Sequence, residues 1–428
     1  MFDSLMAVDT DADESVLVER IAQLERLKCA AAAGQARAAA ALDAARRAAE
    51  AAAGMPAARR GRGVASEIAL ARCDSPARGN RHLGFARALV HEMPHTLAAL
   101  ETGALSEWRA TLIVRESACL DVDDRRVLDA ELCGERSDLV GMGDARVAAA
   151  AKAIAYRLDP HAVVERAAKA ESERTVTLRP APDTMTYLTA LLPVAQGVSV
   201  YAALRREADG SSDGRGRGQV MADTLVERVT GRSTAIATPI AVNLVLSDET
   251  LLGGGDAPAD IADYGPIPAA VARGLIAAAV GDKLSRATLR RVYAHPRSGA
   301  LVAMESRTRL FPRGLAGFIG LRDQRCRTPY CDAPIRHRDH AQPWAGGGRT
   351  TATNGLGSCE QCNYVKEAPG WRVEPSIGEN SRHTAQFITP TGATYRSTAP
   401  PLPRGPARIE ISEMEVAVAL SLTNLHAA

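Results

Sequence analysis

Two cysteine pairs, Cys326-x4-Cys331 and Cys359-x2-Cys362, stand 27 residues apart near the C-terminal end of the chain. Thiolates at this spacing form two short knuckles that close a tetrahedron around Zn2+. Four sulfur ligands leave no open coordination position, so the chemistry implied is structural: the ion holds together a module with few apolar residues of its own. The remaining cysteines, Cys29, Cys73, Cys119 and Cys133, are scattered. Around the pairs lie other side chains able to do chemistry. Asp339 adjoins His340; Pro343 and the turn Gly346-Gly347-Gly348 follow, then Asn354, and Asn363-x2-Lys366 comes after the last cysteine.

Charge concentrates in the same stretch. From Ser306 to Lys366 ten cationic side chains face four acidic ones, a net of +6, whereas the whole chain carries only +2. A locally basic module on a nearly neutral protein suits a polyanionic backbone, and Arg322, Arg325, Arg336, Arg338 and Arg349 are the expected nucleic-acid contacts.

The ordered set of Asp-His, Pro, Gly-Gly, Asn and Cys-x2-Cys followed by Asn and Lys resembles the HNH endonucleases of the ββα-metal superfamily over about forty residues. The resemblance implies hydrolysis of DNA phosphodiesters, most naturally in a duplex. His340 would take a proton from the attacking water, a task suited to a neutral imidazole. Asp339 and Asn363 would hold a catalytic Mg2+ or Mn2+ through oxygen, the donor that hard cations prefer. Asn354 would orient the histidine loop and Lys366 would lie near the phosphate. The position of Asn363 is often histidine in the family; asparagine keeps an oxygen ligand there. The alternative is a zinc-stabilised nucleic-acid-binding protein without significant cleavage.

These residues need a scaffold, and composition says what kind. Of 428 residues 46% are hydrophobic but only 4% aromatic, so alanine supplies much of the apolar content and close-packed helices are expected. The fold class read from the sequence is mostly α with an α+β middle region, followed by the ββα module with its four-cysteine zinc site. A long helix is expected over 14–53, and its stripe (Leu17, Ile21, Leu24) dissolves into alanine, which calls for a helical partner from the same chain or a homodimer mate. Residues 54–80 read as a flexible crossing, 81–305 as a helical and α+β domain, 306–370 as the nuclease module, and 371–428 as a hairpin and tail. Strand-like runs are RTVTLRP, TMTYLTALL and IAVNLVLS. The stretches HEMPHTLAALETGALSEWRATLIVRES and RRVYAHPRSGALVAMESRTRLFPRGLAGFIGLRDQRCRTPYCDAP resemble the actinobacterial domain of unknown function 222, or 13E12 repeat, family, in which a helical domain precedes an HNH module. The uncharged run 184–204 is too polar for a membrane span, and the acidic first residues do not read as a secretory signal, so the cytoplasm is the expected location.

Overall fold

Alanine sets the packing of the first layer. A computed structural model describes residues 8–134, 139, 141–211, 213–233, 244–247, 250, 255–261, 264–281, 309–378 and 382–401. Helix α1 spans Glu14–Ala52, and its second half buries Ala32, Ala33, Ala36 and Ala40 in one core with Phe85 and Leu89 of α3 (Pro76–Glu92) and Leu97 of α4 (Pro94–Glu101). Side chains this small let helix backbones approach closely, and here the chain's own helices cover the alanine face. Val16, Val18 and Ile21 at the other end of α1 are exposed.

Helices α5 (Glu107–Glu116), α6 (Val122–Cys133), α7 (Asp144–Leu158) and α8 (Pro160–Ala170) complete the bundle. Met93 has no side chain to cap α4. The fully buried Asp129 carboxylate of α6 does so instead, accepting from the amides of His95 at 2.7 Å and Thr96 at 2.8 Å.

Residues 54–80 are not a flexible crossing. A 3-10 turn at Ala57–Arg59 leads into α2 (Val64–Ala71), which buries Val64, Ile68 and Leu70, and Pro76 opens α3 at its first turn, where its missing amide hydrogen costs nothing. Glycine and proline dominate this stretch by count, but the apolar run VASEIALA decides its structure.

The middle region holds the antiparallel hairpin β1 (Thr175–Ala181) and β2 (Met185–Leu191), helices α9 (Val194–Gly210) and α10 (Arg217–Thr230), and a small sheet of β3 (Leu244–Val245), β4 (Ala259–Ile261) and β5 (Gly265–Ile267), followed by α11 (Ala269–Gly281). Of the expected strand IAVNLVLS, Leu244 and Val245 are paired in β3; residues 240–243 lie outside the described residues.

The C-terminal part begins with α12 (Arg313–Asp323). A hairpin of β6 (His337–His340) and β7 (Gly355–Ser358) follows, then the short helix α13 (Glu360–Val365) and an antiparallel sheet of β8 (Arg372–Ile377), β9 (His383–Ile388) and β10 (Thr394–Thr398). Ala341, Leu356, Val373, Ala385 and Phe387 form its core. Of the expected hairpin and tail, residues 402–428 fall outside the described residues.

This part docks on the bundle along a seam. Leu70 of α2 packs with Ala368 and Trp371, Gln361 Nε2 donates to the Pro76 carbonyl at 2.9 Å, and the buried Glu67 accepts from the Thr391 amide at 3.2 Å. Gly63, at φ +85°, passes so close to the Trp371 indole that a Cβ there would stand 2.4 Å from its Nε1.

Candidate functional site

Strand register brings the first two candidates into position. In the β6–β7 ladder Asp339 stands opposite Leu356 and His340 opposite Gly355, and α13 packs against β6. The ring of His340 is buried, with the Phe311 and Trp344 rings 4.7 and 5.7 Å away. Its Nε2 lies 2.9 Å from the hydroxyl of the fully buried Thr350, and its Nδ1 lies 3.4 Å from Asp339 Oδ1. Sequence reasoning passed over Thr350; a threonine in a polar loop carries no sign that it will meet an imidazole.

Asp339 is partly open to solvent. Its Oδ1 accepts from the His340 amide at 2.8 Å, and its Oδ2 accepts from Lys366 Nζ at 3.1 Å. Burial pushes the carboxyl up, but the Lys366 charge and these hydrogen bonds outweigh it and hold the group below the usual carboxylate range. Lys366 itself is buried, with Asp339 on one side and Glu367 on the other, rather than reaching outward from the surface.

Asn354 clamps the loop that carries the histidine. Its Oδ1 accepts from the Gln342 amide at 2.9 Å, while Nδ2 donates to the carbonyls of Gln342 at 3.1 Å and Arg349 at 2.9 Å. Gly348 makes this possible, because a Cβ there would stand 2.0 Å from the Gln342 oxygen and 2.8 Å from Asn354 Nδ2. Asn363, on α13, has a buried Oδ1 with no hydrogen-bond partner among the described residues. A buried amide oxygen in that state is costly unless something else meets it.

The four cysteines converge. Their sulfurs lie within 4.8 Å of one another, Cys331 Sγ standing 3.8 Å from that of Cys359 and 3.7 Å from that of Cys362. Crowding splits their acidity: neighbouring thiols hold Cys326 and Cys359 low and push Cys331 and Cys362 high. Such a group can hold a metal ion.

The five arginines expected on the nucleic-acid face divide. Arg322 is not on it: the side chain is buried in a fork on Asp323, at 2.7 and 2.8 Å, and also donates to the carbonyls of Ala352 and Gly355. Arg325 is partly buried and reaches the Tyr264 carbonyl at 3.0 Å. Arg336, Arg338 and Arg349 are exposed and make no ion pair among the described residues. Asp323 is the hub of the buried network that holds Arg322. Its carboxylate receives Arg322, Arg327 at 2.9 Å and the Gly357 amide at 2.7 Å, and these partners hold it ionised despite complete burial. Arg327 in turn meets His383 Nδ1 at 3.2 Å, and His383 Nε2 meets the Thr353 carbonyl at 2.8 Å, which fixes a neutral ring with its proton on Nε2.

The family model described as Domain of unknown function (DUF222) matches residues 22–323, well over half of the chain, and the chain belongs to that family. The match begins within α1 and ends at Asp323, so the four cysteines and Asp339, His340, Asn354 and Asn363 all lie beyond it. No curated protein and no solved structure matches the chain. No described helix is long and apolar enough to cross a membrane.

Proposed function

We propose that this protein is an HNH-type, metal-dependent endonuclease acting on duplex DNA, with a catalytic centre at Asp339, His340 and Asn363 and a separate structural zinc on the four cysteines. The observation that carries the reading is the orphaned Asn363 oxygen on the helix packed against the strand of Asp339 and His340. A buried oxygen without a partner, on a helix packed against the strand that carries a carboxylate, is a donor of the kind a hard divalent cation takes. Mg2+ or Mn2+, when bound, stabilises charge on the phosphate and the leaving oxygen. The chain's own residues do the rest: His340 accepts the proton of the attacking water, Asn354 fixes its loop, and Phe311 and Trp344 keep bulk water from the ring.

The zinc assignment rests on size. A tetrahedron with metal–sulfur bonds of about 2.3 Å has edges of about 3.8 Å, and the sulfur separations of 3.7 and 3.8 Å match it.

One observation favours a second reading. Lys366 pairs with Asp339 at 3.1 Å, and an acid already matched by a lysine fits a zinc-stabilised binding module without turnover. Nicking of supercoiled plasmid with and without Mg2+ or Mn2+, with His340→Ala beside the native chain, separates the two. Metal-dependent nicking lost in the variant supports the nuclease; duplex binding without nicking supports the binding module.

A further inference from the structure

Between residues 21 and 133 the bundle neutralises its arginines with unusual consistency. Eleven of the fifteen are paired with a carboxylate, among them Arg37 with Glu101, Arg46 with Glu67, Arg72 with Glu107, Arg87 with Asp43 and Arg109 with Asp144. Four are not. Arg60 donates to the Met55 carbonyl at 2.7 Å, while Arg59, Arg62 and Arg81 are exposed and make no ion pair among the described residues. Beside the 59–62 run, Glu50 accepts from the Gly61 amide.

These three exceptions are not spread over the bundle. Arg62 immediately precedes Gly63, which lies against Trp371, and Arg59 stands one 3-10 turn earlier. Arg81 lies in the second turn of α3, whose first residue, Pro76, receives the hydrogen bond from Gln361 of α13. Both positions therefore lie within a few residues of the seam along which the helical domain holds the module, and the module has exposed arginines of its own without an ion pair, Arg336, Arg338 and Arg349. Exposed guanidinium groups that make no ion pair favour phosphate oxygens, since surface pairing with a carboxylate would have cancelled their field.

We propose that the helical domain carries a second nucleic-acid contact surface, formed by Arg59, Arg62 and Arg81 beside the seam, which engages the duplex backbone outside the cleavage module. This extends the nuclease reading and rests on it only for the choice of duplex DNA as partner. The contacts position without reading sequence, as phosphate contacts do.

The test is equilibrium binding of the full chain to a duplex over a range of salt, with two triple variants. Each phosphate contact contributes about 0.9 to the slope of log affinity against log salt, so Arg59→Ala/Arg62→Ala/Arg81→Ala should lower that slope by about 2 to 3. Its metal content and thermal transitions should match the native chain. Arg336→Ala/Arg338→Ala/Arg349→Ala is the companion. A reduced slope in the module triple with an unchanged slope in the helical triple overturns the second surface and leaves the nuclease reading standing. A native chain that cuts no DNA but shows the slope loss in the helical triple overturns the nuclease reading and keeps the surface. Absence of any duplex binding, or strong preference for RNA, overturns the surface as proposed.

Discussion

Lys366 Nζ sits 3.1 Å from Asp339 Oδ2, so the carboxylate of the candidate site already faces a buried cation from the C-cap of the helix that carries Asn363. The pair keeps Asp339 ionised and occupies one of its two oxygens. Lys366→Met should therefore raise the Asp339 pKa toward the ordinary range. It should also free Oδ2, so that Mn2+ binds several-fold tighter in a calorimetric titration. Weaker Mn2+ binding in the variant would show that Lys366 assists the ion rather than competing with it.

His340→Ala should lower nicking by about 10²- to 10⁴-fold, the usual cost of a lost general base, with bound zinc and duplex affinity unchanged. Asp339→Ala should also abolish nicking but recover in part at raised Mg2+, because its defect lies in ion affinity. Asn354→Ala should fall between native and His340→Ala, since it releases three hydrogen bonds that hold the loop while leaving the imidazole in place. Cleavage rates across a divalent titration distinguish the three.

The module should lose stability as acid is added, and His383 says where. Burial first, then the Arg322 and Arg327 charges, push its pKa down to about 4. An unfolded histidine binds its proton near pH 6.5 and the folded one resists until about 4, so the unfolded state holds more protons across that interval and stability falls as pH falls through it. The full loss is at most about 3 kcal/mol. Thermal melts of the native chain and His383→Asn from pH 7.5 to 4 check this; the variant should show the flatter profile.

Gly63→Ala should weaken the seam. The substitution combines a left-handed backbone with a Cβ thrust against Trp371, a cost on the order of 1–3 kcal/mol. Hydrogen exchange should rise at residues 361–371 and 64–71 while the amides of α6 and α7 stay protected. Uniform protection across all of these would contradict the contact.

If the four cysteines hold zinc as proposed, Cys359→Ser should lower the metal content found by elemental analysis and loosen the knuckles, read as proteolysis near 326–331. Full zinc occupancy in the variant would remove the four-sulfur assignment.

What could be read from the chain was local. Cys359 and Cys362 share one turn of chain, Asp339 adjoins His340, and the runs RTVTLRP and TMTYLTALL carry the threonine and β-branched enrichment of strands, so local sequence located the four-cysteine group, the acid–imidazole pair and the strands β1 and β2. Non-local facts escaped. Arg322 looks like any other arginine of a basic stretch until the fold turns it inward onto Asp323 and the Ala352 and Gly355 carbonyls. Thr350 becomes a partner of His340 only when the loop closes. The seam was hidden for the same reason: nothing near Leu70 or Glu67 indicates that their faces are completed by Trp371 and Thr391.

Glu67 and Thr391 are 324 residues apart in the chain, and that separation sets a clock on biosynthesis. A ribosome adding about 5–20 residues per second needs roughly 15–65 s to travel from one to the other. Until Trp371 is made the nascent bundle presents Leu70 uncovered, and until Thr391 is made Glu67 is unmet by its last partner. The helical domain thus leaves the ribosome with an adhesive flank that a much later part of the same polypeptide covers, and a chain broken before Ala368 is a product with that flank still open to chaperones and proteases.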